Sequence, residues 1–224
     1  MLLWADLKAM VRHPSAALRA IDGRHRLWHG LLALGLALLI PASLAEIGAL
    51  GPYRPPTNLS SLSGLTAQGV DIYARWSYQH RFALPVYGMV IAAILWLVAA
   101  GLIHLVVRAL HGRGSFHGYV KLVGFIALVG LLTLPVGAVE TLLRLWGNGR
   151  AHAPLSQLAG ILGLGVFVWE NALLVVAARV HYGVSTERAV TAVVGPLGCV
   201  VALAIGLLLV ALLLSVVIHR AGPA

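Results

Sequence analysis

Residues Leu84 to Val107 read LPVYGMVIAAILWLVAAGLIHLVV, a run with no Asp, Glu, Lys or Arg. At 1.5 Å per residue a helix of this length spans about 36 Å, enough to cross the roughly 30 Å hydrocarbon core of a bilayer. Inside lipid every backbone polar group must be bonded within the protein, which leaves helices or closed barrels. The weak alternation of apolar and polar positions argues against a barrel. Working outward, Leu27 to Ile47, Val120 to Leu143, Leu158 to Ala178 and Leu197 to Ile218 read the same way. The expectation is therefore an all-α, polytopic membrane protein. Five transmembrane helices form a bundle over residues 27–224, preceded by an amphipathic segment over residues 1–26.

Composition agrees with this reading. The chain is 60% apolar and 10% charged, whereas soluble domains carry about 25% charged residues. That excludes a water-soluble globule, and the short connections leave no room for a separate soluble domain. The net charge of +9 comes from 16 Lys and Arg against 7 Asp and Glu. These basic residues flank apolar segments instead of forming a stripe interleaved with aromatic platforms, which points to anionic phospholipid and away from nucleic acid. Cys199 is the single cysteine, so an internal disulfide or a thiolate metal cluster cannot form.

In the N-terminal segment, Leu3, Leu7, Met10 and Val11 share one helical face opposite Lys8 and Arg12. This pattern suits a helix lying on the membrane interface. Pro14 breaks it, Ser15 caps a second short helix running to Ile21, and Gly23 ends that piece. The first apolar run starts too late for a signal peptide and lacks a small-residue cleavage site, so the segment is expected to stay attached. With the N-terminus inside, ten basic residues fall on the cytoplasmic side: Lys8, Arg12, Arg19, Arg24, Arg26, Arg108, Arg113, Lys121, Arg179 and Arg188. Six fall outside, which by the positive-inside rule favours a cytoplasmic N-terminus and an external C-terminus. The one long connection, Gly48 to Ala83, is read as an outer loop whose aromatic residues sit at headgroup level.

Between the second and third spans the chain reads His104-Leu105-Val106-Val107-Arg108-Ala109-Leu110-His111-Gly112-Arg113-Gly114-Ser115-Phe116, followed by Tyr119-Val120-Lys121-Leu122. This resembles the Yip family of Yip/Yif-like five-span membrane proteins, in which a helix ends in a small-residue loop of Gly-x-Gly-Ser-Phe type that feeds the third span. His13-Pro14 with Ala17 to Ile21, and Tyr182-Gly183-Val184-Ser185-Thr186-Glu187-Arg188-Ala189, agree with it. The chain looks like a prokaryotic-type member, and the resemblance implies a five-span architecture, here in a bacterial inner membrane.

Several residues invite chemistry. The loop residues Arg108, Gly112, Arg113, Gly114, Ser115 and Phe116 read as a tight cytoplasmic turn. Its glycines reverse the backbone at positive φ, Phe116 dips into the interface, and its cations meet lipid phosphates. Glu170, two residues from the centre of the fourth span, costs roughly 2.5 to 3.5 kcal/mol to insert and so needs a partner or a proton. His104 and Lys121 are candidate partners, and the group is either a proton or ion relay or a carboxyl that fixes helix register. His29 and His104 lie near the cytoplasmic ends of their spans and are the candidates for a bis-histidine haem. His25 and His29 have i,i+4 spacing suited to a metal, with Asp22 the one carboxylate nearby. Asp6, Asp22 and Asp71 all lie outside the spans, so an intramembrane aspartyl dyad cannot form. Gly160, Gly163 and Gly165 on the fourth span, Ala202 and Gly206 on the fifth, and Gly124 with Ala127 on the third offer small faces for close helix approach.

The expected function is a non-catalytic scaffold or accessory subunit without a cofactor, engaging other integral membrane proteins and anionic lipid. The alternatives are a transport component with Glu170 as its coupling site, or a haem- or quinone-linked membrane anchor.

Overall fold

A computed structural model describes residues 2–53, 64–145, 152–196 and 198. All regular structure among them is helical. The elements are α1 (Leu2–Arg12), α2 (Pro14–Arg24), α3 (Leu27–Gly48), α4 (Gly64–Gln79), α5 (Ala83–Ala109), α6 (Phe116–Ala127), a 3-10 segment (Leu128–Thr133), α7 (Leu134–Leu145) and α8 (His152–Tyr182). Residues 186–196 are helical again. Four stretches are long and apolar enough to cross a membrane: Leu27–Gly48, Ala83–Ala109, Phe116–Leu143 and Leu155–Tyr182. They match the first four expected spans closely. The fifth, Leu197 to Ile218, with Ala202 and Gly206, lies outside the described residues apart from position 198.

α6 is the centre of the bundle. Every residue from Tyr119 to Val129 is buried, the signature of a helix surrounded on all sides. α3, α5 and α8 instead turn large apolar side chains such as Leu39, Ile91, Leu95, Ile161 and Leu164 outward. Lipid is as apolar as leucine, so the helices are held by packing more than by an aqueous hydrophobic drive. The tightest packing is at the α3–α6 crossing, where Gly124 lies against the Gly30 backbone and Gly30 against the Lys121 backbone. A β-carbon at Gly30 would sit 2.5 Å from both the Cα and the carbonyl oxygen of Lys121. Gly124 thus has the packing role expected of a small-residue face on the third span.

The third span is broken midway, and Pro135 explains where. Lacking an N–H, Pro135 cannot donate to the Leu131 carbonyl, and that oxygen accepts from the Leu134 N–H in the tighter 3-10 pattern instead. α7 then resumes the path. The long connection between the first two spans is more than a loop, because it contains α4. There Asp71 and Arg75 pair at i,i+4 spacing with a 3.0 Å contact, and Tyr73, Trp76 and His80 form successive ring contacts.

The sequence places the two N-terminal helices but not the ends of the second: α2 opens at Pro14, a position that needs no N–H, with His13 and not Ser15 at its cap, and it runs through Gly23 to Arg24. Their apolar face is used differently from a lipid-lying helix. Met10, Leu18 and Ile21 are fully buried and Leu7 nearly so, in one cluster with α6 and α8 side chains. α1 and α2 therefore cap one end of the bundle. Among the described side chains of this pair, Trp4 and Val11 are the large apolar ones that stay exposed.

Candidate functional site

The chemistry of the described residues concentrates at the capped end, where α1, α2, the starts of α3 and α6 and the ends of α5 and α8 meet. At its centre is Asp22, near the end of α2. Its carboxylate accepts from Lys121 Nζ at 2.8 Å and from His181 Nδ1 at 2.8 Å. Lys121 Nζ also donates to the Asp22 carbonyl oxygen. The second ring nitrogen of His181, Nε2, lies 2.8 Å from the Ser115 carbonyl oxygen. Both ring nitrogens therefore face acceptors, and both bonds form together only when each carries a hydrogen. One knot thus joins α2, α6, α8 and the loop before α6. Burial alone would push the Asp22 carboxyl up, but the hydrogen bonds and charges of His181 and Lys121 outweigh it and hold the group below the usual aspartate value.

A second pair of bonds fixes α1. Buried Asp6 accepts from Arg24 at 2.9 Å and lies 3.0 Å from His25 Nε2. His25 in turn packs against Phe125 of α6, with ring centroids 4.8 Å apart, and edge-on against His29 at 5.2 Å. His25 is thus partnered by Asp6, and Asp22 by Lys121 and His181. Among the described residues no cluster of three or more His, Cys, Asp or Glu side chains could hold a metal.

The loop between α5 and α6 corrects one expectation. The residue at positive φ is His111, at 69°, and neither Gly112 nor Gly114. His111 N–H reaches the Arg108 carbonyl and Gly112 N–H the Val107 carbonyl, which is the Schellman ending of a helix. The glycines serve space instead. A β-carbon on Gly112 would lie 2.4 Å from Val107 Cγ1, on Gly114 2.6 Å from His181 Cδ2, and on Gly118 2.2 Å from His181 Cε1. The loop is pressed against the end of α8, where Arg113 N–H donates to the Tyr182 carbonyl at 3.2 Å. Ser115 caps α6, its hydroxyl accepting the Gly118 N–H at 3.2 Å. Arg108 donates to the Gly112 carbonyl at 3.2 Å, and Phe116 remains partly exposed beside His104.

Of the expected intramembrane group, the structure does not join Glu170 to His104 or Lys121. Lys121 is held by Asp22. His104 Nδ1 lies 2.7 Å from the Tyr182 hydroxyl. Glu170 lies against Gly130 of the 3-10 break, its Oε1 3.3 Å from where a β-carbon on that glycine would sit, and the neighbouring Thr133 hydroxyl donates to the Gly130 carbonyl at 2.8 Å. Gly130 is nine residues beyond Lys121 in the chain, about 13 Å along a helix, and that separation places the two groups at different depths. His29 takes part in the cap of α3, its Nδ1 accepting the Arg26 N–H at 3.2 Å. Gly160, Gly163 and Gly165 have nothing within 4 Å of a β-carbon among the described residues.

Asp6, His181 and Tyr182 are site residues that sequence reasoning missed, while Asp22 and His25, read there as neighbours at a possible metal site, are each taken by separate partners. The available signal was scarcity: with 7 acidic residues in the chain, two aspartates in the first 22 positions had to have partners. Their inward turn leaves the cations of this end outside. Lys8, Arg12, Arg19, Arg24, Arg26, Arg108, Arg113, Arg179 and Arg188 are all exposed.

No curated protein and no solved structure matches the chain. One family model does, that of the Yip1 domain, over residues 8–218.

Proposed function

The chain belongs to the Yip1-domain family, whose members are membrane proteins associated with membrane traffic and generally without enzymatic activity, and from that membership we propose that it is a non-catalytic integral-membrane scaffold or accessory subunit. In this reading it engages anionic lipid through its basic end and other membrane proteins through its small-residue helix faces. The N-terminus lies in the cytoplasm of a bacterium, the bundle in its inner membrane, and the C-terminus outside.

The observation that carries this reading is the division of charge at the capped end. Both aspartates are consumed internally, by Arg24 and His25 and by Lys121 and His181, while the exposed groups around them are mostly cationic. Such a surface attracts a leaflet rich in anionic lipid. The same internal pairing argues against catalysis there, since the acids and imidazoles hold helices together. The glycines of α8, which meet nothing within 4 Å of a β-carbon among the described residues, support contact with a partner helix, where small residues let backbones approach closely.

The test is purification of the tagged full-length protein from its native membrane in mild detergent, followed by mass spectrometry and an absorption spectrum of the same sample. A stoichiometric set of membrane proteins with no Soret band is expected. A solitary protein would overturn the accessory-subunit reading, and a Soret band that stays with the purified chain would replace it with the haem-anchor alternative.

A further inference from the structure

At the basic end a cleft of about 260 Å³ opens between α2 and α8, lined by Ser15, Arg19, Val176, Arg179 and Val180. Pockets for whole drug-sized ligands run from roughly 300 to 1,000 Å³, so this one is sized for a headgroup. Arg19 comes from α2 and Arg179 from the last turn of α8. Neither has an ion pair or a side-chain hydrogen bond among the described residues, and no lining residue is acidic. The contrast with the rest of this end is informative. Asp6 and Asp22, the nearest acids of α1 and α2, are already taken by Arg24, His25, Lys121 and His181.

We propose that this cleft is a binding site for the phosphate of one anionic phospholipid. Two guanidinium groups sharing a small cleft repel each other, and a phosphate between them converts that repulsion into attraction. The planar fork of arginine matches phosphate oxygens two at a time, which a lysine ammonium does not. Ser15 supplies a hydroxyl on the same wall. Val176 and Val180, one turn apart on a helix that continues into the membrane, give the first methylenes of an acyl chain an apolar surface, which selects lipid over free phosphate. The proposal rests on the reading that this end meets an anionic leaflet and assigns that contact to one defined place.

Native mass spectrometry of the full-length protein in detergent tests it, with phosphatidylglycerol, phosphatidylcholine and inorganic phosphate as separate probes. The wild type should retain one phosphatidylglycerol in preference to phosphatidylcholine. Arg19→Gln and Arg179→Gln should each weaken that binding about fivefold, and together about twenty-five-fold. Arg19→Lys with Arg179→Lys keeps the charge and should still lose part of the affinity, while Lys8→Gln with Arg12→Gln should lose none. Unchanged phosphatidylglycerol retention in the double Gln variant would overturn the site. Displacement of the lipid by equimolar inorganic phosphate would make it a free-phosphate site and overturn the lipid assignment. An equal loss in the Lys8 and Arg12 variant would mean diffuse attraction, removing the cleft while leaving the membrane-facing reading intact. Failure of the wild type to prefer phosphatidylglycerol would end both.

Discussion

Replacing Gly124 with alanine tests the packing on which the bundle depends. A β-carbon there falls 2.0 Å from the Gly30 carbonyl oxygen and 2.6 Å from its carbon, whereas ordinary contact begins at 3.4 Å. The opposing atoms are backbone, so no side-chain rotation relieves the clash, and α3 and α6 must separate by about 1 Å. Overpacking of a close-packed core costs about 1–3 kcal/mol, and a backbone obstacle belongs at the top of that range. Alanine recovers about 1 kcal/mol of helix propensity, leaving a net loss of about 2 kcal/mol. Gly160→Ala is the internal control, because nothing lies within 4 Å of its β-carbon among the described residues. That variant should be neutral or slightly stabilised. Reversible unfolding in mixed micelles of increasing dodecyl sulfate, followed by tryptophan fluorescence, measures both. The Gly30→Ala and Gly124→Ala double variant should cost less than the sum of the singles, since one separation makes room for both substitutions. Gly124→Ala unfolding with the wild type, or shifting like Gly160→Ala, would refute the crossing geometry.

Three further outcomes follow from the polar groups. Lys121→Met should destabilise the protein by about 3 kcal/mol, the lower end of the cost of breaking a buried ion pair, because Asp22 keeps His181. Equal unfolding of variant and wild type in the same assay would remove Lys121 from the knot. Asp22 is held below its ordinary value by its partners, so its contribution is complete above the unfolded value of about 3.9 and fades as pH falls through the lowered folded one. The stability gap between wild type and Asp22→Asn should therefore close progressively below about pH 4, and a gap that widened on acidification would contradict this sign. Glu170→Gln keeps the shape and an oxygen beside Gly130 and should change stability by less than about 1 kcal/mol, the ordinary net worth of one hydrogen bond, and a loss above about 3 kcal/mol in the micelle titration would show that the carboxyl itself is required.

Hydropathy located α3 and α5 almost to the residue, and the third span and α8 with ends a turn or so short, because insertion into lipid is decided by length and polarity that a single stretch carries by itself. It missed α4, whose composition is too polar to register and whose local signal was the Asp71–Arg75 spacing. It also passed over the 3-10 break, although Pro135 marks the place and Leu131 loses its usual donor there. The N-terminal pattern reads as an amphipathic helix and a second short one, and both are present as α1 and α2. Amphipathicity names a face without saying whether lipid or protein covers it, and here Met10, Leu18 and Ile21 face protein. The site was least legible. Asp22 meets His181 across 159 positions of sequence and Lys121 across 99, and no local rule connects residues so far apart. For the same reason Glu170 was assigned cations already committed elsewhere.

The Asp22 knot also sets an order of assembly. Residues 6 and 22 leave the ribosome first, yet the ring that completes the arrangement belongs to residue 181, in the last turn of α8. Until that helix has been threaded into the membrane, Asp22 has at most Lys121, and the Ser115 carbonyl lacks its bond to His181. The latch on the earliest helices is thus completed only by the last turn of α8, and a nascent chain halted after the third span holds its amino terminus through Lys121 and the His25–Phe125 contact without the His181 bond.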